Sequence, residues 1–160
     1  MTIQVGDKLP QITVSTMTDE GPKPVSIEEL CSEKKVVLFA VPGAFTPTCS
    51  VQHLPGFITH ASDLKDKGAD VVACISVNDP FVMAAWGKDR NVGEDVLMLS
   101  DGNADFTSAV GLEMDGSGFG LGTRSQRYAM IIDDGVVSTL NVENGPSLEV
   151  SSAETILEAL

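Results

Sequence analysis

Continuous apolar runs alternate with amphipathic segments along this chain. Two runs, 36–41 (VVLFAV) and 70–77 (DVVACISV), are rich in β-branched residues, and 95–101 (DVLMLSD) is a third strand candidate. Apolar runs of this length are typical of strands that are buried on both faces of a sheet. The weaker alternation in QITVST, at 11–16, predicts an edge strand.

Helical patterns separate these strands. One helix is predicted to begin after Pro47 and to continue to about Lys67, where Gly68 ends it. A second begins at Asp79-Pro80, with aspartate as N-cap and proline in the first helical position. ADFTSAVG predicts a short helix, and SSAETILEAL predicts the last one.

Two short-range signals complete the predicted architecture. Asp134-Gly135 between two apolar runs predicts a β-hairpin, and Ser151 with Glu154 has the spacing of a helical capping box. The sequence contains no internal repeat, low-complexity stretch or long linker. Strands that alternate with helices and end in a hairpin predict one α/β domain over 1–160, with a central mixed sheet flanked by helices.

Composition and charge exclude several classes of function. The 160 residues contain 23 acidic and 10 basic side chains, for a formal charge of −13. Such a surface repels nucleic acids and anionic membranes. The beginning of the chain does not resemble a secretory signal, and no apolar run approaches the length of about 20 residues that spans a membrane. We expect a soluble, cytoplasmic protein.

The cysteine pattern favours free thiols. Cys31, Cys49 and Cys74 are odd in number and contain no CxxC pair. They form neither a disulfide framework nor a zinc spacing, so we expect no metal, no cofactor and a reducing compartment.

Cys49 lies at an unusual corner, VPGAFTPTCS, directly after an apolar strand. Thr46-Pro47 is typical of a helix start and places Cys49 at the third helical position. The unpaired N–H groups and the dipole of a helix N-terminus stabilise a thiolate there.

The predicted apolar face of this helix does not include Cys49. At about 100° per residue, Cys49 lies roughly 160° from the centre of that face, although Pro55 makes the angle approximate. The face consists of Val51, Leu54, Ile58 and Ala61. The sequence therefore predicts a reactive thiol outside the core.

Two chemistries suit such a thiol. His53, four residues further on, suggests a cysteine hydrolase, but the sequence offers no specific group to orient the histidine. Peroxide reduction instead requires a thiolate, a hydrogen-bond donor and a cation. Thr46 offers a hydroxyl, and either Arg124 or Arg127, at the start of an apolar strand, offers a guanidinium.

The quoted segments resemble the peroxiredoxins. Pro42-x-x-x-Thr46-x-x-Cys49, followed by HLPGF, is similar to the active-site signature of the type II subfamily. VVACISVNDPFVMAAW and RSQRYAMIIDDGVVSTLNVE also resemble that subfamily, and the similarity extends from Val5 to Leu160.

The resemblance implies a thioredoxin-like fold in which Cys49 is the peroxidatic cysteine. Pro42 would shield the sulfur, Thr46 would bond the sulfur and the peroxide oxygen, and Arg127 would be the catalytic arginine. Arg124 would be at most a secondary contact. The apolar walls of the pocket or the dimer contacts, unless they are plain core, would be Phe45, Trp86 and Phe119.

The resemblance leaves the resolving thiol open. Animal type II members carry a resolving cysteine before the last helix, where this chain has NGPSLEVSSAE. Cys74 has the apolar setting of a core residue but stays a possible resolving cysteine, and we expect Cys31 near the surface at a helix end. A reductant of glutathione or glutaredoxin and a homodimer are implied. A two-cysteine peroxidase that uses Cys74 and thioredoxin, or a thiol sensor without turnover, are the alternatives.

Overall fold

The computed structural model describes residues 2–160. Its strands are β1 (Thr13–Thr18), β2 (Gly21–Ser26), β3 (Lys35–Ala40), β4 (Val71–Ser76), β5 (Leu97–Ser100), β6 (Glu113–Asp115), β7 (Thr123–Ser125), β8 (Tyr128–Asp133) and β9 (Val136–Val142). Its α-helices are α1 (Ile27–Cys31), α2 (Leu54–Asp66), α3 (Pro80–Asp89), α4 (Asp105–Val110) and α5 (Ala153–Ala159). A π-helical turn, Cys49–His53, precedes α2, and a 3-10 turn covers Ser117–Phe119.

Seven strands form one mixed sheet in the order β2-β1-β5-β4-β3-β8-β9. The neighbours β5, β4 and β3 are parallel, whereas the remaining pairs are antiparallel. Strands β6 and β7 form a separate antiparallel pair. The predicted mixed sheet is confirmed, and the apolar runs at 36–41 and 70–77 supply its centre.

Helices cover both faces of this sheet. Successive side chains of a strand point to opposite faces. Val37 and Phe39 on β3 pack in a core with α2, α3 and α5, whereas Leu38 and Ala40 pack in a second core with α4. Cys74 belongs to the first core, as does Cys49, so the two thiols lie on the same side of the sheet.

The predicted edge strand is an inner strand. Strand β1 pairs with β2 on one side and with β5 on the other, so the edge position belongs to β2. The sequence of β2, GPKPVS, contains two prolines and little apolar pattern, which is why its strand character was missed. Proline lacks the N–H donor of a sheet ladder, and an edge strand tolerates that loss.

The helix and hairpin signals give a mixed result. Asp79 accepts a hydrogen bond from the amide of Val82 and caps α3 as predicted. Asp134 and Gly135 have φ angles of 49° and 81°, as in the tight turn of a hairpin. The predicted capping box is wrong, because the N-cap of α5 is Ser152. Among residues 2–160, no helix is both long and apolar enough to cross a membrane.

Candidate active site

The corner after β3 is held by short polar contacts. The hydroxyl of Thr46 donates to the carbonyl oxygen of Gly43 at 2.7 Å, and the amide of Ala44 donates to Asn78 Oδ1 at 3.0 Å. Phe45 has a φ of 65°, a left-handed conformation that is costly for a bulky residue. These contacts fix the direction in which the next helix begins.

That helix begins at Pro47 with an α-helical turn, but Cys49–His53 is a π-turn. The amide of Leu54 donates to the carbonyl of Cys49, five residues back, which defines the wider π-turn. Pro55 has no N–H and cannot supply the α-helical bond that would follow. The π-turn changes the angle between the residues before it and those of α2.

The prediction that Cys49 lies outside the core is therefore wrong. Cys49 is fully buried, and Val51, which we assigned to the apolar face, is 65% exposed. An angle of 100° per residue fails across a π-turn. The face that is buried consists of Cys49, Ser50, His53, Leu54, Phe57, Ala61 and Leu64.

The buried sulfur of Cys49 has a charged partner. Arg127 Nη2 donates to Cys49 Sγ at 3.0 Å, and Arg127 itself is only 4% exposed. A guanidinium is always charged, and in a site without bulk water its attraction for a thiolate is weakly screened. Of the two candidate arginines, it is Arg127 that contacts the sulfur.

His53 holds the other end of the guanidinium. Its Nδ1 lies 2.9 Å from Arg127 Nη1, and its Nε2 lies 2.9 Å from the carbonyl oxygen of Ser151. A carbonyl only accepts, so Nε2 carries the proton and Nδ1 accepts from the arginine. This geometry is inconsistent with a role of His53 as a general base for Cys49, because both ring nitrogens already form hydrogen bonds with other groups.

Burial, followed by the positive charge of Arg127, lowers the pKa of His53 from 6.5 to about 3. The bond to Ser151 and the charge of Glu143 oppose that shift only in part. The imidazole is therefore neutral at physiological pH. A neutral ring is what allows Nδ1 to accept from a cation.

This shift predicts a pH dependence of stability. Between about pH 6.5 and 3 the unfolded state binds a proton at His53 that the folded state does not, so stability falls as the pH falls. The contribution approaches about 1.4 kcal/mol per pH unit. Urea denaturation at several pH values should give a smaller slope in this window for His53→Leu than for the parent. His60→Leu is the matched control, and equal slopes for His53→Leu and the parent would contradict the prediction.

Glu143 supports Ser151 in turn. Its Oε2 accepts from the amides of Glu149, Val150 and Ser151 and from the Ser151 hydroxyl, at 2.6–2.9 Å. Burial alone would raise the pKa of Glu143, but these bonds outweigh burial and lower it. The serine that we predicted to cap α5 instead binds this carboxylate.

Arg124 lies at the rim of the corner. Its Nε donates to the carbonyl of Leu121 at 2.9 Å, and its Nη1 donates to the carbonyl of Pro42 at 3.3 Å. A Cβ on Gly43 would lie 2.8 Å from Arg124 Nη1, so any larger residue there would push the guanidinium aside. The arginine thus fastens the loop before β7 to the backbone around Pro42.

The three candidate aromatic residues have different environments. Trp86 is fully buried, and its indole N–H donates to Ser50 Oγ at 2.9 Å, so it is core rather than a dimer contact. Phe45 is half exposed and lies 6.4 Å from the Trp86 ring, between ring centroids. Phe119 is 88% exposed, so the core alternative for it is wrong.

The two other cysteines are both buried. Cys31 ends α1 but is 2% exposed, so the expected surface position is wrong. Burial raises its pKa to about 11, against a weaker opposing effect of Lys34. Burial, and then the nearby Cys49, raise the pKa of Cys74 well above its usual range. Both are protonated at neutral pH and are therefore weak nucleophiles.

Sequence reasoning missed the supporting residues of the site. His53 was considered only as a base, while Glu143 and Ser151 were not connected with the cysteine at all. A single acidic residue after the apolar strand β9 carries no signal for burial, because its donors come from a segment six to eight residues further on. Among residues 2–160, no cluster of three histidine, cysteine or acidic side chains is arranged to hold a metal ion.

Comparisons with known proteins cover nearly the whole chain. Residues 4–157 match the family described as Redoxin. Peroxiredoxin-2E, chloroplastic, from Arabidopsis thaliana is 53% identical over 162 residues, which cover 99% of this chain and 69% of that protein. Peroxiredoxin-2D from the same plant is 50% identical, with 99% and 98% covered.

A solved structure is similarly close. The crystal structure of reduced Prx3 from Vibrio vulnificus, in complex with H2O2, is 61% identical and superposes with a TM-score of 0.95 over 99% of each chain. The thioredoxin-like fold that the resemblance implied is confirmed by this match.

Proposed function

This chain belongs to the peroxiredoxins, peroxidases of the Redoxin family, and we propose that it reduces hydrogen peroxide and alkyl hydroperoxides at Cys49. The observation that supports this assignment most directly is the 3.0 Å contact between Arg127 Nη2 and Cys49 Sγ. It joins the nucleophile to a fixed cation in a buried setting, where electrostatic stabilisation is strongest.

The first step oxidises the sulfur by two electrons. The Cys49 thiolate attacks one peroxide oxygen, the S–O bond forms as the O–O bond breaks, and the other oxygen leaves as an alkoxide or hydroxide that takes up a proton. Arg127 Nε is buried and has no partner among residues 2–160. Nε and Nη2 share one edge of the guanidinium, so Nε–H is available to an oxygen beside the sulfur.

Pro42 and Thr46 are proposed as the remaining parts of the site. The Thr46 hydroxyl donates its hydrogen bond to the carbonyl oxygen of Gly43, so in this conformation it can only accept a hydrogen bond from another group. To donate to the sulfur or to the peroxide, the hydroxyl has to rotate. Pro42 lies at the same corner, with its carbonyl held by Arg124. We therefore assign Pro42 to shielding and Arg124 to a secondary, structural contact.

We propose that glutathione and glutaredoxin recycle the enzyme. A thiol attacks the Cys49 sulfenic acid and releases water, and a second thiol then resolves the mixed disulfide and restores the thiolate. Supporting this route, Cys74 is fully buried in a central strand and protonated, so it is a weak resolving thiol. Cys49 and Cys74 belong to the same hydrophobic core, so the two-cysteine route with thioredoxin stays the alternative.

The two routes differ in a double variant. We expect Cys31→Ala combined with Cys74→Ala to retain turnover close to that of the parent with glutathione and glutaredoxin, because neither sulfur takes part. Alanine suits both sites, since each is apolar and buried. The measurement is peroxide consumption coupled to glutathione oxidation.

The opposite result would support the intramolecular route. A collapse of turnover in the double variant, with a Cys49–Cys74 disulfide in the mass spectrum of the oxidised parent, would replace glutaredoxin by thioredoxin in this proposal. A single stoichiometric oxidation of the parent, without turnover on any of these reductants, would instead indicate a thiol sensor.

Assembly and location are further parts of the proposal. Phe45, Phe81 and Phe119 are exposed, and the corner that carries Phe45 is tied to the segment before Phe81 by the Ala44–Asn78 bond. Exposed aromatic side chains favour a homodimer contact, which sedimentation of the reduced protein tests. The three free cysteines support a reducing compartment, for which we propose the cytoplasm, to be tested by cell fractionation.

A further inference from the structure

We propose that His53 is the positioning residue of the catalytic arginine, and that Glu143 fixes His53 by holding the segment Glu149–Ser151 in place. This inference rests on the proposed peroxidase function, because it concerns the group that polarises Cys49. The contacts on which it depends form a closed ring of buried polar groups.

The first link fixes the plane of the guanidinium. An arginine side chain has several rotatable bonds, and one contact to a sulfur leaves it free to swing. Here Arg127 Nη1 donates to His53 Nδ1 at 2.9 Å while Nη2 donates to Cys49 Sγ at 3.0 Å. Two partners on neighbouring nitrogens define the plane, so loss of the histidine acceptor releases the donor to the sulfur.

The second link selects the tautomer of His53. Without an acceptor at Nε2, the neutral ring has two tautomers, and one of them would turn an N–H toward the guanidinium. The Ser151 carbonyl, 2.9 Å from Nε2, can only accept a hydrogen bond, so it favours the tautomer that has its N–H at Nε2. Phe39 and Phe57 pack on the imidazole at centroid distances of 5.0 and 5.5 Å and restrict its tilt.

The third link holds the Ser151 carbonyl. One oxygen of Glu143 accepts three consecutive backbone amides and the Ser151 hydroxyl, so the segment cannot shift without breaking charge-assisted bonds. The amide of Glu143 donates to the carbonyl of Arg127 at 2.9 Å. The ring thus returns to the backbone of the residue whose side chain it orients.

Three variants of His53 separate its two hydrogen bonds. Asparagine places an oxygen near the position of Nδ1 and keeps an acceptor for Arg127. Glutamine places an N–H near the position of Nε2 and keeps the donor to Ser151, and leucine keeps neither. A purely structural role would rank these variants by stability alone, whereas a positioning role ranks them by the acceptor that faces Arg127.

The experiment uses two readouts on the full-length protein. One is the rate constant for oxidation of the reduced protein by hydrogen peroxide, followed by the fluorescence of Trp86, the only tryptophan, which is bonded to Ser50 beside Cys49. The other is the pH midpoint of Cys49 alkylation, with the site assigned by mass spectrometry. Melting temperatures accompany both.

We expect His53→Leu to lower the peroxide rate by about 10-fold or more and to move the alkylation midpoint to higher pH. His53→Asn should retain most of the parent rate, and His53→Gln should resemble leucine. Glu143→Gln should lower the rate several-fold. The matched control, Glu158→Gln, removes a charge from the exposed surface of the following helix α5 and leaves every contact of the ring in place, so its rate should equal that of the parent.

Two results would overturn the inference. One is a parent-like rate and alkylation midpoint in His53→Leu, or an equal loss in the asparagine and leucine variants at unchanged melting temperatures. The other is an equal effect of Glu143→Gln and Glu158→Gln. If His53→Leu does not fold, the comparison of asparagine with glutamine decides. A parent that does not react with peroxide would remove the proposed function, while the alkylation profiles would still test the ring.

Discussion

Replacement of Cys49 by serine is expected to abolish peroxide turnover, with a loss of at least about 1,000-fold. A hydroxyl is not ionised by the Arg127 contact and does not attack an O–O bond, although its oxygen occupies nearly the same position. We expect the fold to remain, because Ser Oγ still accepts from Arg127 Nη2, with a cost in unfolding free energy of about 1–2 kcal/mol. The measurements are steady-state peroxide consumption and urea denaturation.

The control for this prediction is the variant that lacks the other two thiols, Cys31→Ala with Cys74→Ala. If the Cys49→Ser variant keeps a rate near that of the parent while this control loses it, Cys49 is not the nucleophile. If both variants lose activity, and the double variant also no longer unfolds cooperatively, the loss in the double variant reflects damage to the hydrophobic core and not the removal of a reacting sulfur.

Replacement of Arg127 by lysine is expected to slow Cys49 oxidation by about 100-fold or more. Lysine keeps the charge but has one nitrogen, which cannot reach His53 Nδ1 and Cys49 Sγ together in the way that the two guanidinium nitrogens do. The loss should appear in the rate constant for reaction of the reduced protein with hydrogen peroxide, before any reductant is added.

Arg124→Lys is the matched control, because it makes the same chemical change at the rim of the same corner. Arg124 donates only to the backbone carbonyls of Leu121 and Pro42, so we expect a change of about 3-fold or less. Comparable losses for the two variants would mean that the assignment of the catalytic arginine to Arg127 is wrong.

A fully buried nucleophile has a consequence for the reductant. A peroxide is small, whereas a protein thiol must bring its own sulfur to Cys49, which has no exposed surface in this conformation. On the proposed route, in which a protein thiol reduces Cys49, we therefore expect the turn that carries Cys49 to open.

The sequence is most informative where one residue type admits a single local explanation. The apolar runs of β3 and β4 predict central strands because only a sheet covered on both faces buries every side chain of such a run. Asp134-Gly135 predicts the hairpin because few other pairs adopt two consecutive left-handed conformations. The corner around Cys49 was likewise recognisable from its own residues.

The wrong predictions arise where the structure depends on residues that are far apart in the sequence or on an irregular turn. The helical angle of Cys49 was counted as if the helix were regular, but the π-turn brings the sulfur into the core. Ser151 has the sequence spacing of a cap, yet the Glu143 carboxylate is the stronger partner for it. Strand β2 has almost no apolar pattern because an edge strand on the surface does not require one.

The sequence alone determined the α/β class, the order of the central strands along the chain, the corner with its lone thiol and the presence of two candidate arginines. The family resemblance favoured Arg127 over Arg124, but only the tertiary structure shows the contact of Arg127 with the sulfur. Only the tertiary structure, too, places Cys31 in the core and connects His53, Ser151 and Glu143 with the site. The physical reason is separation along the chain: Cys49 and Arg127 are 78 residues apart, and His53 and Ser151 are 98 apart. Local propensities act over a few residues, whereas such contacts form only when the sheet brings β8 and the segment before α5 beside the start of α2.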